Sequence, residues 1–381
     1  MGIFCKYTSS KQMKQKLLLS LLVLFTATIA WADVEINEEN FPDEIFRSFL
    51  LEQGYGSDGV LTDAEIAGVA SIDVNSKDIR SLKGIEFFTA LTDLACNENQ
   101  LTALDVSQLT ALKKLGCSAN QLTELDVSKL TALTFLSCSN NQLTELDVSL
   151  LSALDTLNCW SNQFTSLDVS KNTALDYLDC GFNQLTSLDI SNNPGLVTLY
   201  CDYNQLTVID VSKQTALDEL FCDKNQLTSL DVSQNTALTT LLCSDNQLTS
   251  LDVSKNTELY LLGCYQNLFY GESMDALVES LPTVTESYLY VLYYENEENV
   301  MTAKQAAAAK AKGWLPLVSI GLDDEGNGIW EEYKGGDGID APLNDKEQMI
   351  NDNAVYDLSG RRVQKPGRGL YIVDGKKVLL K

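Results

Sequence analysis

The chain predicts an α/β-type solenoid of 21-residue coils with a parallel sheet on its concave face. Nine copies of Cys-x-x-Asn stand 21 residues apart, from Cys96 and Asn99 to Cys264 and Asn267, with no gap or insertion. A fixed period of this length marks stacked units, because one coil cannot bury its own apolar face but a row of coils can. Within a coil, Leu178 and Cys180 alternate with Tyr177, Asp179 and Gly181, the period-2 pattern of a short strand with one buried face. A 21-residue coil is too short for a full α-helix on its return side, so turns or 3₁₀ pieces are expected there.

The elements follow in order. Residues 1–32 read as a signal peptide: Lys6, Lys11, Lys14 and Lys16 precede the apolar run Leu17–Ile29 and then Ala30-Trp31-Ala32. The run is short for a spanning helix. Cleavage leaves Asp33 as the first residue, and Met13 would serve as a start as well as Met1. Cys5 lies upstream of the apolar run, which gives no support to a lipid anchor.

Residues 33–68 read as a helical N-terminal cap. Phe41-Pro42-Asp43 opens a helix with Ile45, Phe46, Phe49 and Leu50 on one face, Pro42 standing near the first turn. The segment Gly54 to Glu65 resembles a decayed EF-hand loop. Gly59, Asp58, Leu61 and Glu65 fall on turn, ligand, hydrophobic and bidentate positions, but Gly54 and Gly56 replace two ligands. A helix-turn-helix cap over the apolar end of the stack is the competing reading.

Residues 69–267 are the repeats. One coil reads Leu175-x-x-Leu178-x-Cys180-x-x-Asn183-x-Leu185-x-x-Leu188-x-Ile190. This resembles the leucine-rich repeat, with cysteine in the third leucine slot. A weaker coil precedes the series, with Val69, Ile72, Val74, Ile79 and Leu82. There Lys77 replaces the asparagine and the step is 22 residues.

Residues 268–330 read as an α/β C-terminal cap: a helix over Ser273–Leu281, a strand over Tyr288–Tyr293, a helix over Thr302–Lys312 and a strand over Trp314–Ile320. Residues 331–353, rich in Gly, Asp and Asn, read as a linker. Residues 354–381 form a small β module, with Asp374-Gly375 as a hairpin turn. This tail is similar to a shortened C-terminal sorting domain of the type IX secretion system, on Gly360-Arg361, Gly369-Leu370-Tyr371 and Lys376-Lys377-Val378. An ordinary hairpin module is the alternative.

The regular rows invite chemical readings. Nine evenly spaced thiols lack the two-to-four-residue spacing of metal-binding pairs and fit cysteine as a small buried hydrophobe, left as free thiols. The asparagines fit a ladder that bonds the backbone of the sharp turn. Asp105, Asp126, Asp147, Asp168, Asp189, Asp210, Asp231 and Asp252 fit caps of their own turns, with calcium as the alternative.

The chain has no histidine, which removes His-based acid–base chemistry and the common zinc sites. No nucleophile elbow, Walker loop or dinucleotide fingerprint is present. The expectation is binding without catalysis and without a cofactor. Removing residues 1–32, with four lysines and no acid, takes the net charge from −26 to −30. Such a surface repels nucleic acid and anionic lipid. The expected product is a monomer, secreted or at the outer cell surface, with no membrane insertion.

The outward slots of the strands are where the coils differ. Phe135, Trp160, Tyr177, Asp179, Phe182, Tyr200, Asp202, Tyr203, Phe221 and Asp223 concentrate aromatic rings and acids on the middle and later coils. Exposed aromatics beside carboxylates are typical anchors of recognition surfaces, although strand propensity alone also favours such residues. The repeat also resembles that of internalin-like bacterial surface proteins, here of a Bacteroidota type given the tail. That resemblance implies a protein ligand, possibly basic, on the concave face. A glycan ligand, with the rings as stacking platforms, and a purely structural surface protein are the alternatives.

Overall fold

The computed structural model describes residues 33–323, 328–335, 355–356, 369–373 and 376–380. The expected signal peptide, most of the linker and the Asp374-Gly375 turn lie outside the described residues.

The N-terminal cap is built on one helix and its anchors. Strands β1 (Val34–Glu35) and β2 (Val60–Leu61) pair antiparallel. Helix α1 (Glu44–Glu52) starts at Asp43, whose Oδ1 accepts from the N–H groups of Ile45 and Phe46 at 3.0 Å. Its second oxygen accepts from Arg80 and Ser81 at 2.8 and 3.2 Å, which ties the cap to the first coil. Pro42 therefore precedes the N-cap instead of standing in the first turn. Phe46 and Leu50 are buried, but Ile45, expected on the same face, is exposed.

The EF-hand-like segment is engaged in helix capping. Glu65 accepts from the backbone and hydroxyl of Thr62 at 2.9 and 2.7 Å, forming the capping box of α2 (Asp63–Gly68). Asp58 accepts from Val60 N–H at 3.1 Å. Gly56 is a close-approach glycine, since a Cβ there would sit 2.3 Å from the Leu50 carbonyl oxygen.

One coil then follows another through β3 (Ser71–Asp73), β4 (Asp93–Ala95), β5 (Lys114–Gly116), β6 (Phe135–Ser137), β7 (Thr156–Asn158), β8 (Tyr177–Asp179), β9 (Thr198–Tyr200), β10 (Glu219–Phe221), β11 (Thr240–Leu242) and β12 (Leu261–Gly263). These strands pair parallel and in register, residue for residue at the 21-residue period from β4 onward. The cysteine lies just past each strand, yet its N–H still donates to the next coil, as in Cys180 to Tyr200 O at 2.8 Å. The return side is made of turns, with one 3₁₀ piece at Ile85–Phe87.

The interior confirms the assignment of the rows. All nine described cysteines are free and fully buried. Burial pushes their thiols up, to about 12 at Cys96 and Cys138, so they pack as neutral side chains. Each asparagine is a crosspiece between coils. Asn183 Nδ2 reaches the carbonyls of Cys159, Cys180 and Gly181 at 3.0–3.2 Å, and its Oδ1 accepts from Phe164 N–H at 3.0 Å. The aspartates cap their turns: Asp189 Oδ1 accepts from Ser191 N–H at 2.9 Å, and the same bond recurs at the other seven.

A second polar row was not foreseen. Asn172, Asn193, Gln214, Asn235 and Asn256 are fully buried at the turn after each Asp-Val-Ser element, where earlier coils carry Leu109, Leu130 and Leu151. Their amide nitrogens bridge to carbonyls of the preceding coil, as Asn193 does to Val169 and Asn172 at 3.1 and 2.8 Å.

The sheet continues into the C-terminal cap. Strands β13 (Ser287–Leu292) and β14 (Trp314–Leu322) add in parallel, and β15 (Gly328–Glu332) closes the edge antiparallel. Glu331 and Glu332, expected in a loop, are the last residues of that strand, and Glu332 pairs with Lys310 at 2.7 Å. Helices α3 (Glu272–Ser280) and α4 (Ala303–Ala311) pack on the return side, α4 starting at a Thr302–Gln305 capping box. Buried side chains form one core from Val34 to Tyr333. Separately, β16 (Val355–Tyr356), β17 (Gly369–Val373) and β18 (Lys376–Leu380) form an antiparallel three-stranded sheet.

Candidate ligand-binding face

Because the strands are in register, the outward slots line up as rows across the concave face. The slot before the cysteine carries Asp179, Tyr200 and Phe221; the slot after it carries Trp160, Gly181, Asp202 and Asp223. Adjacent strands are about 4.8 Å apart, so side chains in a row touch.

Two aromatic stacks result. Tyr177 meets Tyr200 edge-on at 5.8 Å, and Tyr200 stacks on Phe221 at 4.3 Å. Trp160 meets Phe182 edge-on at 4.9 Å, and Phe182 stacks on Tyr203 at 3.7 Å. The Tyr200 hydroxyl donates to Glu219. Lys224 extends the second stack, with Nζ 4.7 Å from the Tyr203 ring centre and 3.9 Å from Asp245.

Phe182 and Tyr203 stand on left-handed turn residues, both with φ near 50°, and not on the strands. Every coil uses this conformation directly before its asparagine, but elsewhere with Glu, Ala, Asn, Ser, Lys, Asp or Gln. A bulky ring there carries a cost of roughly 1 kcal/mol. Both rings remain well exposed, at 39% and 38%.

Three carboxylates line the trench at the stacks: Asp202 and Asp223 lie in the row between them, and Asp179 heads the row of Tyr200 and Phe221. Asp179 is buried, with Oδ1 accepting from Gly181 N–H at 3.2 Å; it is not the open acceptor expected of it. Asp223 accepts from Ser244 N–H at 2.7 Å. Desolvation pushes Asp179 up to about 6 and Asp223 up to about 7, with the nearby Asp202 charge adding to both; desolvation also raises Asp202. Phe135 stands apart, separated from Tyr177 by the Thr156 strand.

Several neighbours of this face were not singled out in the sequence. Glu219, Lys224 and Ser244 contribute as described. Beyond them, Tyr265 stacks on Tyr293 at 5.0 Å, and Trp330 lies 4.7 Å from Tyr290. Row alignment pointed to Tyr265, whereas Trp330 arrives on the antiparallel β15, which the repeat period does not describe.

On the side formed by the Leu-Asp-Val-Ser elements, a groove of about 840 Å³ passes Asp105, Asp126, Asp147 and Asp168. Hydrogen bonds from the following serines hold those carboxyls below the usual range. Among the described residues, no group of three or more Cys, Asp or Glu side chains could hold a metal ion.

Comparison with known proteins places this geometry. The functional domain of InlJ from Listeria monocytogenes, which includes a cysteine ladder, superposes with a TM-score of 0.62 at 37% identity, covering 71% of this chain and 61% of that one. The fold is an internalin-like leucine-rich repeat. Internalin J of the same species is 42% identical over 71 residues, 19% of this chain and 7% of that protein. The chain thus spans less than two thirds of either relative. InlF, an internalin of L. monocytogenes, gives a TM-score of 0.59 at 23% identity over 76% of this chain and 92% of that one, a likeness of fold. No family model matches the chain.

Proposed function

We propose that this leucine-rich repeat protein binds a protein ligand through the concave face of the coils carrying Cys159 to Cys222, as an adhesive or host-interacting protein at the outer surface. The observation that carries this reading is the pair of aromatic stacks, one half-buried and the other with Phe182 and Tyr203 exposed on energetically unfavourable left-handed turns. Neither stack is required by the repeat, since early coils place Gly116 and Ser137 in the slot of Tyr200 and Phe221, Ser118 and Ser139 in that of Trp160, and Ala119 and Asn140 in that of Phe182 and Tyr203. Rings of this kind dominate affinity at protein interfaces. The internalin likeness supports a binding role, and the lysine-rich leader with its apolar run supports export. No helix among the described residues is long and apolar enough to cross a membrane. The tail resembling a type IX sorting domain supports surface display in a Bacteroidota-type envelope.

A glycan is the second reading, favoured by exposed ring faces beside Asp202 and the Tyr200–Glu219 pair. Screening glycan and surface-protein arrays in parallel identifies the class, and salt separates the two. Binding to a basic protein weakens steeply with ionic strength, whereas binding to a neutral sugar does not. With the ligand found, Trp160→Ala or Tyr200→Ala should weaken binding about thirtyfold or more, and Ser118→Ala by less than about twofold. Equal effects from both sets would reject this face.

A further inference from the structure

A generally acidic surface does not account for the trench between the stacks. Asp179, Asp202 and Asp223 lie on three successive coils, and all three carboxyls are raised chiefly by desolvation. Among the described residues, no Lys or Arg forms an ion pair with any of them. Lys224, next in sequence to Asp223, is engaged with Tyr203 and Asp245. Unneutralised carboxylates in such a place oppose folding. The repeat does not need them, because the equivalent slots elsewhere hold Asn97, Ser118, Ser139 and Asn158.

Two further features point to an incoming group. Ser244 is 1% exposed, and its buried hydroxyl, in the row of Asp202 and Asp223, has no hydrogen-bond partner of good geometry among the described residues. Gly181 lets the Asp202 carboxylate and the Trp160 ring close in over the backbone: a Cβ there would stand 2.7 Å from Asp202 Oδ1 and 2.9 Å from Trp160 Cδ1.

We propose that this trench takes up an arginine side chain of the protein partner, with its guanidinium between the aromatic stacks and against Asp202 and Asp223. This deepens the protein-binding reading and rests on it. A guanidinium is planar and weakly hydrated, stacks on rings, and presents five donors in a fork that two carboxylates can accept. Ser244 Oγ offers a further acceptor at the same end of the trench. An ammonium is compact and strongly hydrated, loses more on desolvation, and does not stack.

The test uses calorimetry on the full chain with acetylated tetra-arginine, tetra-citrulline and tetra-lysine peptides. Two double variants remove equal charge: D202N/D223N in the trench and E124Q/E145Q on the exposed return side. Tetra-arginine should bind at least about tenfold more weakly to D202N/D223N and within about twofold of normal to E124Q/E145Q. Tetra-lysine should bind at least about fivefold more weakly than tetra-arginine, and neutral tetra-citrulline more weakly still. D202N/D223N should melt no lower than the parent, which removes misfolding as an explanation. Equal losses in the two double variants would show only a diffuse field and overturn the proposal. So would equal affinity for arginine and lysine peptides, or no binding of tetra-arginine. If Trp160→Ala weakens the protein partner but D202N/D223N does not, the binding face stands and the arginine pocket falls.

Discussion

At the scale of single residues, the same side-chain type serves opposite ends according to where the coil places it. Asp189 sits on an exposed turn and takes the Ser191 N–H, which pulls its carboxyl down. Asp223 sits in the trench, where desolvation pushes it up to about 7. The stability consequences run in different pH windows. A trench carboxyl whose folded pKa is raised binds a proton that the unfolded chain does not hold between about pH 4 and 7, so stability should rise as pH falls through that window. A capping aspartate with a lowered pKa contributes above the unfolded value of about 4 and loses its contribution below it. Melting temperature should therefore climb from pH 8 to about 5 and drop below about pH 4. D179N/D202N/D223N should flatten the neutral limb and leave the acid limb in place; an unaltered neutral limb would mean that general surface repulsion governs it. The ladder residues separate as cleanly. Asn183→Leu strands the buried Phe164 N–H and three carbonyl contacts, an expected loss of roughly 1–3 kcal/mol per unsatisfied group. Cys180→Ala removes only a small buried thiol and should cost about 1 kcal/mol without touching ligand binding. Denaturant unfolding ranks the two, and a larger loss at Cys180 would contradict the packing role.

At the scale of elements, the coil was legible in the sequence because each of its slots obeys one dominant demand. Leu178 and Cys180 must be buried, Asn183 must bond the turn, and Asp189 must cap it; repetition of these demands through the series made them readable. The cap helices were legible within a residue or two because Asp43 and Thr302 carry capping chemistry of their own. What was not legible depended on contacts with no local signature. Ile45 has the right spacing for the buried face of α1 but is exposed, while Phe46 and Leu50 are buried. The row from Asn172 to Asn256 lies in Ser/Lys/Asn-rich stretches that read as exposed loop, and only stacking reveals that the amide turns inward. Five buried amide oxygens of that row have no hydrogen-bond partner among the described residues. Earlier coils fill the slot with Leu151 and its equivalents, so Asn193→Leu should be tolerated better than Asn183→Leu, at about 1 kcal/mol or less in the same unfolding assay. In the candidate site, row alignment located Trp160, Tyr200 and Phe221 next to one another. It could not show that Asp179 is buried, that Phe182 and Tyr203 leave the strand, or that Trp330 joins the face from a reversed strand.

At the scale of the whole molecule, register is what turns coils into a surface, and this makes the binding face separable from the fold. Each coil contacts only its neighbours, so stability is close to a sum of coil and interface terms. Removing residues 121–141 joins Asn120 to Gln142 and recreates the Asn-Gln junction found in the eight coils from Asn99 to Asn246. β5 then meets β7 in the register that β6 had with each, and both ladders continue. Removing residues 184–204 joins Asn183 to Gln205 with the same continuity but takes away Tyr200, Asp202 and Tyr203 together. The two excisions should lower the melting temperature by similar amounts, since each deletes one coil and one interface. Their effects on ligand should diverge: near-parent affinity for the first, and a loss of about thirtyfold or more for the second. Removing 121–131 instead breaks the period and leaves a coil without the buried Leu122, Leu125, Val127 and Leu130 and without the Asp126 cap, so that variant should not fold cooperatively. Circular dichroism melts and binding to the same ligand check all three. Equal loss of affinity in the two whole-coil excisions would mean that recognition depends on the curvature and length of the entire stack and not on the trench between its central coils.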